Sequence, residues 1–229
     1  LTGGDKDSID ATNSETDTTV YNLNAIGNQS VNEDSALNFT MASDAFNDVD
    51  AGDSLTYSAT LADGSALPSW LSFNTSTLAF SGTPVNANVG NISVKVTATD
   101  GSSAAISDTF TLTIANTNDT PTVTNAIANQ SVNEDSALSF TVASNTFNDV
   151  DTGDSLTYSA TLADGSTLPS WLSFNTSTLE FSGTPVNDHV GNISIKITAT
   201  DESSASVSDT FTLTIVNTND APTAVSLSA

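Results

Sequence analysis

The chain has no cysteine, no arginine, three lysines and one histidine in 229 residues. Each shortage removes a class of function. Without cysteine there is no disulfide staple, no thiol nucleophile and no thiolate metal site. Three cationic side chains stand against 27 Asp and Glu, a formal charge of −24. Phosphate backbones and anionic membranes are therefore repelled, because displacing their counterions needs Lys and Arg. Cations, neutral surfaces and water remain as partners. The lone histidine, His189, occupies the place of Asn88 in an earlier copy of the same segment and reads as a surface residue. No Ser-His-Asp order recurs in both copies, so the expectation is a protein that is not an enzyme. No apolar run approaches the roughly 18 residues of a membrane helix, and no charged-then-apolar leader segment is visible. We expect the sequence to be a piece of a longer chain.

What is present is a repeat. Asn28-Gln29-Ser30-Val31-Asn32-Glu33-Asp34 returns as Asn129 to Asp135, Trp70 as Trp171, and Asn116-Thr117-Asn118-Asp119 as Asn217 to Asp220. The offset is 101 residues each time (171 − 70), without a gap. That period is too long for a solenoid, so each copy is expected to be a domain in a tandem array. The expected boundaries are an acidic linker or the end of a preceding unit over 1–19, domains over 20–119 and 120–220, and the start of a following unit over 221–229. Inside each copy the pattern alternates at period two. Leu37, Phe39 and Met41 alternate with polar residues, as do Leu55, Tyr57, Ala59 and Leu61, and the runs 92–98 and 110–114 do the same. Turn chemistry separates them, at Asp63-Gly64 and Gly82-Thr83-Pro84 among others. About seven short strands per hundred residues, with no helical period, give an all-β chain of two β-sandwiches. Trp70 and Trp171, each with a Leu and a Phe beside it, are expected to help fill the cores, the alternative being exposed platforms for sugar stacking.

The acids are not scattered. Asp48, Asp50 and Asp53 fall within FNDVDAGDSLTY, and Asp149, Asp151 and Asp154 within FNDVDTGDSLTY. Carboxylates this close repel one another unless a cation sits between them. The bland alternative is a loop of good turn formers. An EF-hand fits poorly: Gly52 stands one position early, and Ala59 takes the place of the bidentate Glu.

Several elements occur together and in order. They are Glu33 early in the copy, Asp48-x-Asp50 ahead of Leu55-Thr56-Tyr57-Ser58, Thr97-Ala98-Thr99-Asp100, and Asn116-Thr117-Asn118-Asp119-x-Pro121. This set resembles the cadherin pattern. Leu67-Pro68-Ser69-Trp70-Leu71-Ser72-Phe73 and Phe80-Ser81-Gly82-Thr83-Pro84 resemble the dystroglycan-type cadherin-like domain, common in bacterial surface and secreted proteins. The resemblance covers roughly residues 21–220. It implies Ig-like Greek-key sandwiches and Ca2+ held between successive domains by Glu33, Asn116, Asn118, Asp119, Asp149, Asp151 and Asp201. Asp48, Asp50, Asp53 and Asp100 would form the N-terminal pole of the first domain, with Asp17 a further linker ligand. Glu134, Asp154, Asn217, Asn219 and Asp220 complete the implied set. The cadherin Asp-Arg-Glu segment is replaced by Ser81 to Asn86, so one or two ions per junction are expected.

The resulting expectation is an extracellular, calcium-stiffened module of a larger adhesin or secreted protein. It would meet neighbouring domains of its own chain, and matching units on other chains or polysaccharide. The alternative is a carbohydrate-binding module, with or without calcium. Self-repulsion at a charge of −24 generates one prediction that needs no site. In chelator, raising NaCl from about 10 to 150 mM shortens the Debye length from about 30 to 8 Å. The melting temperature should rise over that range in circular dichroism.

Overall fold

The computed structural model describes residues 20–48 and 54–222. They form two compact units that divide between Thr117 and Asn118. In the first unit the strands are β1 (Val20–Asn22), β2 (Gln29–Asn32), β3 (Leu37–Thr40), β4 (Phe46–Asp48), β5 (Thr56–Leu61), β6 (Leu71–Asn74), β7 (Ala79–Gly82), β8 (Gly90–Thr99) and β9 (Ala105–Ala115). The second unit repeats them as β10 (Thr122–Val123), β11 (Gln130–Asn133), β12 (Leu138–Thr141), β13 (Phe147–Asn148), β14 (Thr157–Leu162), β15 (Leu172–Asn175), β16 (Glu180–Gly183), β17 (Gly191–Thr200) and β18 (Ser206–Val216). The described residues hold no α-helix, only a short 3-10 turn before β8 and another before β17.

Each unit is a sandwich of a four-stranded and a three-stranded sheet. In the first, the order is β2-β9-β8-β5 against β3-β7-β6, with β1 and β4 as a separate antiparallel pair. The chain passes between sheets from β2 to β3, back from β3 by way of β4 to β5, from β5 to β6 and from β7 to β8. Only β2 runs parallel to its partner, β9; the other pairings are antiparallel. Seven strands in the two sheets agree with the sequence pattern. The additional pair arises because the N-terminal stretch is cut in two. Asp108 makes the break: its Oδ2 accepts from the Ile26 N–H at 2.6 Å, between β1 and β2. Asp209 does the same for Ile127 at 2.6 Å.

The alternation in the sequence becomes burial. Val94, Val96 and Ala98 of β8 are fully covered, as are Phe110, Leu112 and Ile114 of β9. The residues between them on β8 face out, and Thr97 Oγ1 bonds Ser107 Oγ at 2.8 Å on that outer face. Between the sheets Phe80 meets Phe73 at 4.5 Å, Phe110 at 5.6 Å and Phe39 at 6.1 Å between ring centroids. The Phe73 contact is tilted, the Phe110 contact edge-on and the Phe39 contact stacked, and aromatic pairs of these kinds add about 0.5–1.5 kcal/mol each beyond area burial. Trp70 and Trp171 are half-buried and pack against the cores beside them.

One close approach fixes that corner. A Cβ built on Gly183 would overlap the Trp171 carbonyl oxygen, and Gly82 stands in the same relation to Trp70. No such crowding surrounds Gly27. Gly183→Ala should therefore lose roughly 1–3 kcal/mol, the usual cost of overpacking. Gly27→Ala should stay within about 0.5 kcal/mol. Urea denaturation of the two variants checks the contrast.

Candidate metal centre

Glu33 follows β2 directly, and its own N–H donates to the Ala115 carbonyl at 3.0 Å. The next residue, Asp34, takes a left-handed conformation (φ 55°) and donates its N–H to the Pro84 carbonyl at 2.7 Å. The chain turns there, and the Glu33 side chain is driven under the end of β9. It is 1% exposed. Its Oε1 accepts the Thr117 N–H at 2.9 Å, whereas its Oε2 is buried with no hydrogen-bond partner. The second unit builds the same arrangement independently. Glu134 is 1% exposed, its Oε1 accepts from Thr218 N–H at 2.7 Å, and its Oε2 is likewise unpartnered. Asp135 donates to Pro185 at 2.7 Å.

An unpartnered carboxylate oxygen in such a place is costly. Removing an ionised carboxylate from water costs several kcal/mol even after relaxation, and one accepted N–H does not offset that. A bound cation would. The donor set consists of oxygens alone, which suits Ca2+, a hard ion taking six to eight of them.

The opposite pole of the second unit gathers a cluster of carboxylates. Asp149, Asp151 and Asp154 each offer an oxygen within 4.8 Å of the others. The turn after β13 produces this: Asp151 N–H donates to Asp149 Oδ1 at 3.0 Å, and Asp154 N–H to the Asp151 carbonyl at 3.3 Å. Asp201 joins from the end of β17. Its Oδ1 accepts the Ala205 N–H at 2.8 Å and its Oδ2 the Asn118 side-chain amide at 2.9 Å. Asp119 N–H donates to Asp151 Oδ2 at 2.8 Å. Asp151 and Asp201 are buried, at 6% and 5% exposure, and Asp149 Oδ2 is buried without a partner.

Five of the seven residues grouped in the sequence reading thus meet within the second unit: Asn118, Asp119, Asp149, Asp151 and Asp201. Glu33 and the exposed Asn116 belong to the first. At the corresponding pole of the first unit, Asp100 is 6% exposed and its Oδ1 accepts from Ser102 and Ala104 N–H at 2.9 and 2.8 Å. Asp48 closes β4, while Asp17, Asp50 and Asp53 lie outside the described residues. At the end of the second unit Asn217, Asn219 and Asp220 are exposed, and the two amides bond locally, to Thr218 and Asp220 carbonyls at 3.2 Å.

Sequence reasoning missed Glu202, whose Oε1 accepts from Ser155 Oγ at 2.8 Å beside the cluster. The first unit has Gly101 there, so the difference between copies was the available signal. His189, read as a surface residue, is partly exposed and stacks on Trp171.

The fold and its acidic poles define a class, tandem Ig-like β-sandwiches with cadherin-like architecture. A family model described as "Putative Ig domain" (He_PIG) matches residues 16–115 and 120–216, and the chain belongs to that family. Human mucin-like protocadherin EC1-2 is similar over 88% of this chain and all of its own, at 15% identity and TM-score 0.58. PcdhgB3 EC1-4 is similar over 87% of this chain and 51% of its own, at 16% identity and TM-score 0.53. These likenesses are of fold. An endo-fucoidan hydrolase of glycoside hydrolase family 107 aligns over 90% of this chain at 20% identity and TM-score 0.39, and the chain spans 30% of its length. No curated protein matches the chain.

The cluster generates a pH prediction. The Asp154 carboxyl is held above the usual carboxylate range, first by partial loss of water and then by the charges of Glu202, Asp151, Asp149 and Asp201. With the folded value above the unfolded one, the folded state binds more protons in the interval between them. The contribution of Asp154 to the calcium-free protein is therefore unfavourable at neutral pH and is relieved as pH falls through the folded value. Asp154→Asn should raise the melting temperature in chelator at pH 7. The gain should vanish at a pH where Asp154 is already protonated, which parallel melts of both proteins read directly.

Proposed function

We propose that the chain is a calcium-binding extracellular module that stiffens and spaces a longer adhesin or secreted protein, with no catalytic role. The observation that carries this reading is the pair of buried, half-partnered glutamates, Glu33 and Glu134, each 1% exposed with Oε2 unpartnered. Such a group, repeated at the same place in both units of a chain with a charge of −24, is explained by a cation that is part of the native state. Asp149, Asp151, Asp154 and Asp201, with oxygens of Asn118 and Asp119, form a further candidate donor set within the second unit. The dystroglycan-type cadherin-like subclass and a bacterial surface location belong to the same proposal. They are supported by the Leu-Pro-Ser-Trp and Asn-Asp-x-Pro segments and by the family.

The proposed stiffening would act on the connector: Thr117 donates to Glu33 in the first unit, and Asp119 donates to Asp151 in the second. An ion bound by the carboxylates of either unit would hold the connector residue bonded beside it. Extracellular modules bind calcium with dissociation constants of roughly 10⁻⁴ to 10⁻³ M. An ion present at ten times its dissociation constant stabilises the folded form by about 1.4 kcal/mol per site. Millimolar calcium outside a cell would then load the module, and cytosolic levels would not.

Isothermal titration with CaCl2 tests the site residues. Asp151→Ala should lose the tightest binding event or weaken it at least tenfold, about 1.4 kcal/mol. Asp164→Ala, in a surface turn away from the cluster, should titrate like the parent protein. Identical isotherms for the parent and Asp151→Ala would exclude the proposed ligand set.

A further inference from the structure

The two units differ at one turn in a way that matters to protons. Before β8, the 3-10 turn Asn86–Asn88 is closed by reciprocal bonds: Asn88 N–H donates to the Val85 carbonyl at 2.7 Å, and Val85 N–H donates to Asn88 Oδ1 at 2.9 Å. Before β17, the turn Asn187–His189 has the same closure with a different acceptor. His189 N–H donates to the Val186 carbonyl at 2.8 Å, and Val186 N–H donates to His189 Nδ1 at 3.0 Å. An amide oxygen accepts at every ordinary pH. An imidazole nitrogen accepts only while it is unprotonated.

The bond also fixes the tautomer. With Nδ1 accepting, the neutral ring carries its proton on Nε2. Taking up a second proton places an N–H on Nδ1 facing the Val186 N–H, so two donors meet and the closure is lost. The ring itself stacks on Trp171, with centroids 5.5 Å apart and planes 28° from parallel. An imidazolium is attracted to an indole face, so this contact favours keeping the ring in place while the turn releases. The ring meets the Trp171 ring and the Val186 N–H, and its own turn, Asn187–His189, carries one other charged group, Asp188. Across the turn, the Pro185 carbonyl accepts from Asp135 N–H at 2.7 Å, and Asp135 follows the buried Glu134.

We infer that His189 is a proton-sensitive fastener, present in the second unit and absent from the first, which loosens the Val186 turn in mild acid and passes that release through Pro185 to the segment holding Glu134. Titration of the fastener does not rest on calcium binding. The relay names a regulation of one carboxylate in the proposed site, and to that extent it rests on that reading.

The test is a backbone amide NMR titration of the whole protein in chelator from pH 8 to pH 5, the window in which an unperturbed imidazole changes charge. The Val186 amide is expected to shift along a single titration curve while the Val85 amide stays flat, with Asp135 following Val186. His189→Asn should flatten Val186 and keep the turn, as Asn88 does in the first unit. Asp188→Asn should leave the titration in place. A flat Val186 in the parent protein, or a curve that survives in His189→Asn, would overturn the fastener. A Val186 that titrates while Asp135 does not would overturn the relay. Because chelator is present throughout, failure here is separate from failure of the calcium reading.

Discussion

Everything at the poles depends on carboxylates that the fold holds where they repel each other and cannot all be solvated. Glu33 and Glu134 are the clearest cases, covered almost completely and given one backbone N–H for two oxygens. The strands that bury them are not built for them alone. Parallel pairing of β2 with β9 and of β11 with β18 ends beside these glutamates, so the same ladder that closes the sandwich delivers the acid to its pole. A fold that could relieve the strain by exposing one side chain would have to break that ladder.

The sandwich is therefore a frame with two kinds of content. Its interior is ordinary: alternating aliphatics on the long strands and a cluster of phenylalanines around Phe80 and Phe181. Its ends carry the charge. The described lysines, Lys95 and Lys196, lie in the middle of β8 and β17 between threonines, where they cannot neutralise the poles. With no lysine of the described residues at the clusters, a cation from solution is the compensation the account invokes, and this links the composition of the chain to the chemistry of its sites.

How much of this could be read in the sequence differs element by element. The long strands were legible because Val94, Val96 and Ala98, and Phe110, Leu112 and Ile114, show their alternation locally. The split of the N-terminal stretch into β1 and β2 was not. It depends on an aspartate of β9 bonding Ile26 across 82 residues, and an Asp in a strand otherwise reads as a solvent-facing residue. Among the site residues, the turn from Asp149 to Asp154 was visible as a local crowd of acids. The joining of Asp201, Asn118 and Asp119 to it required the fold, since two of those contacts link residues 32 and 83 apart. His189 looked like a surface substitution because its partners, the Val186 amide and the Trp171 ring, are defined by a turn and by packing. Periodicity carries neither.

The most direct test of the central claim is the melting temperature of the chain in 1–5 mM CaCl2, against equal MgCl2 and against chelator at the same ionic strength. The account predicts a large rise with calcium and a much smaller one with magnesium, which demands near-octahedral geometry and gives up its water reluctantly. Equal melting temperatures in all three would contradict it: the buried glutamates would then be tolerated without a cation, and the acid clusters would be turns.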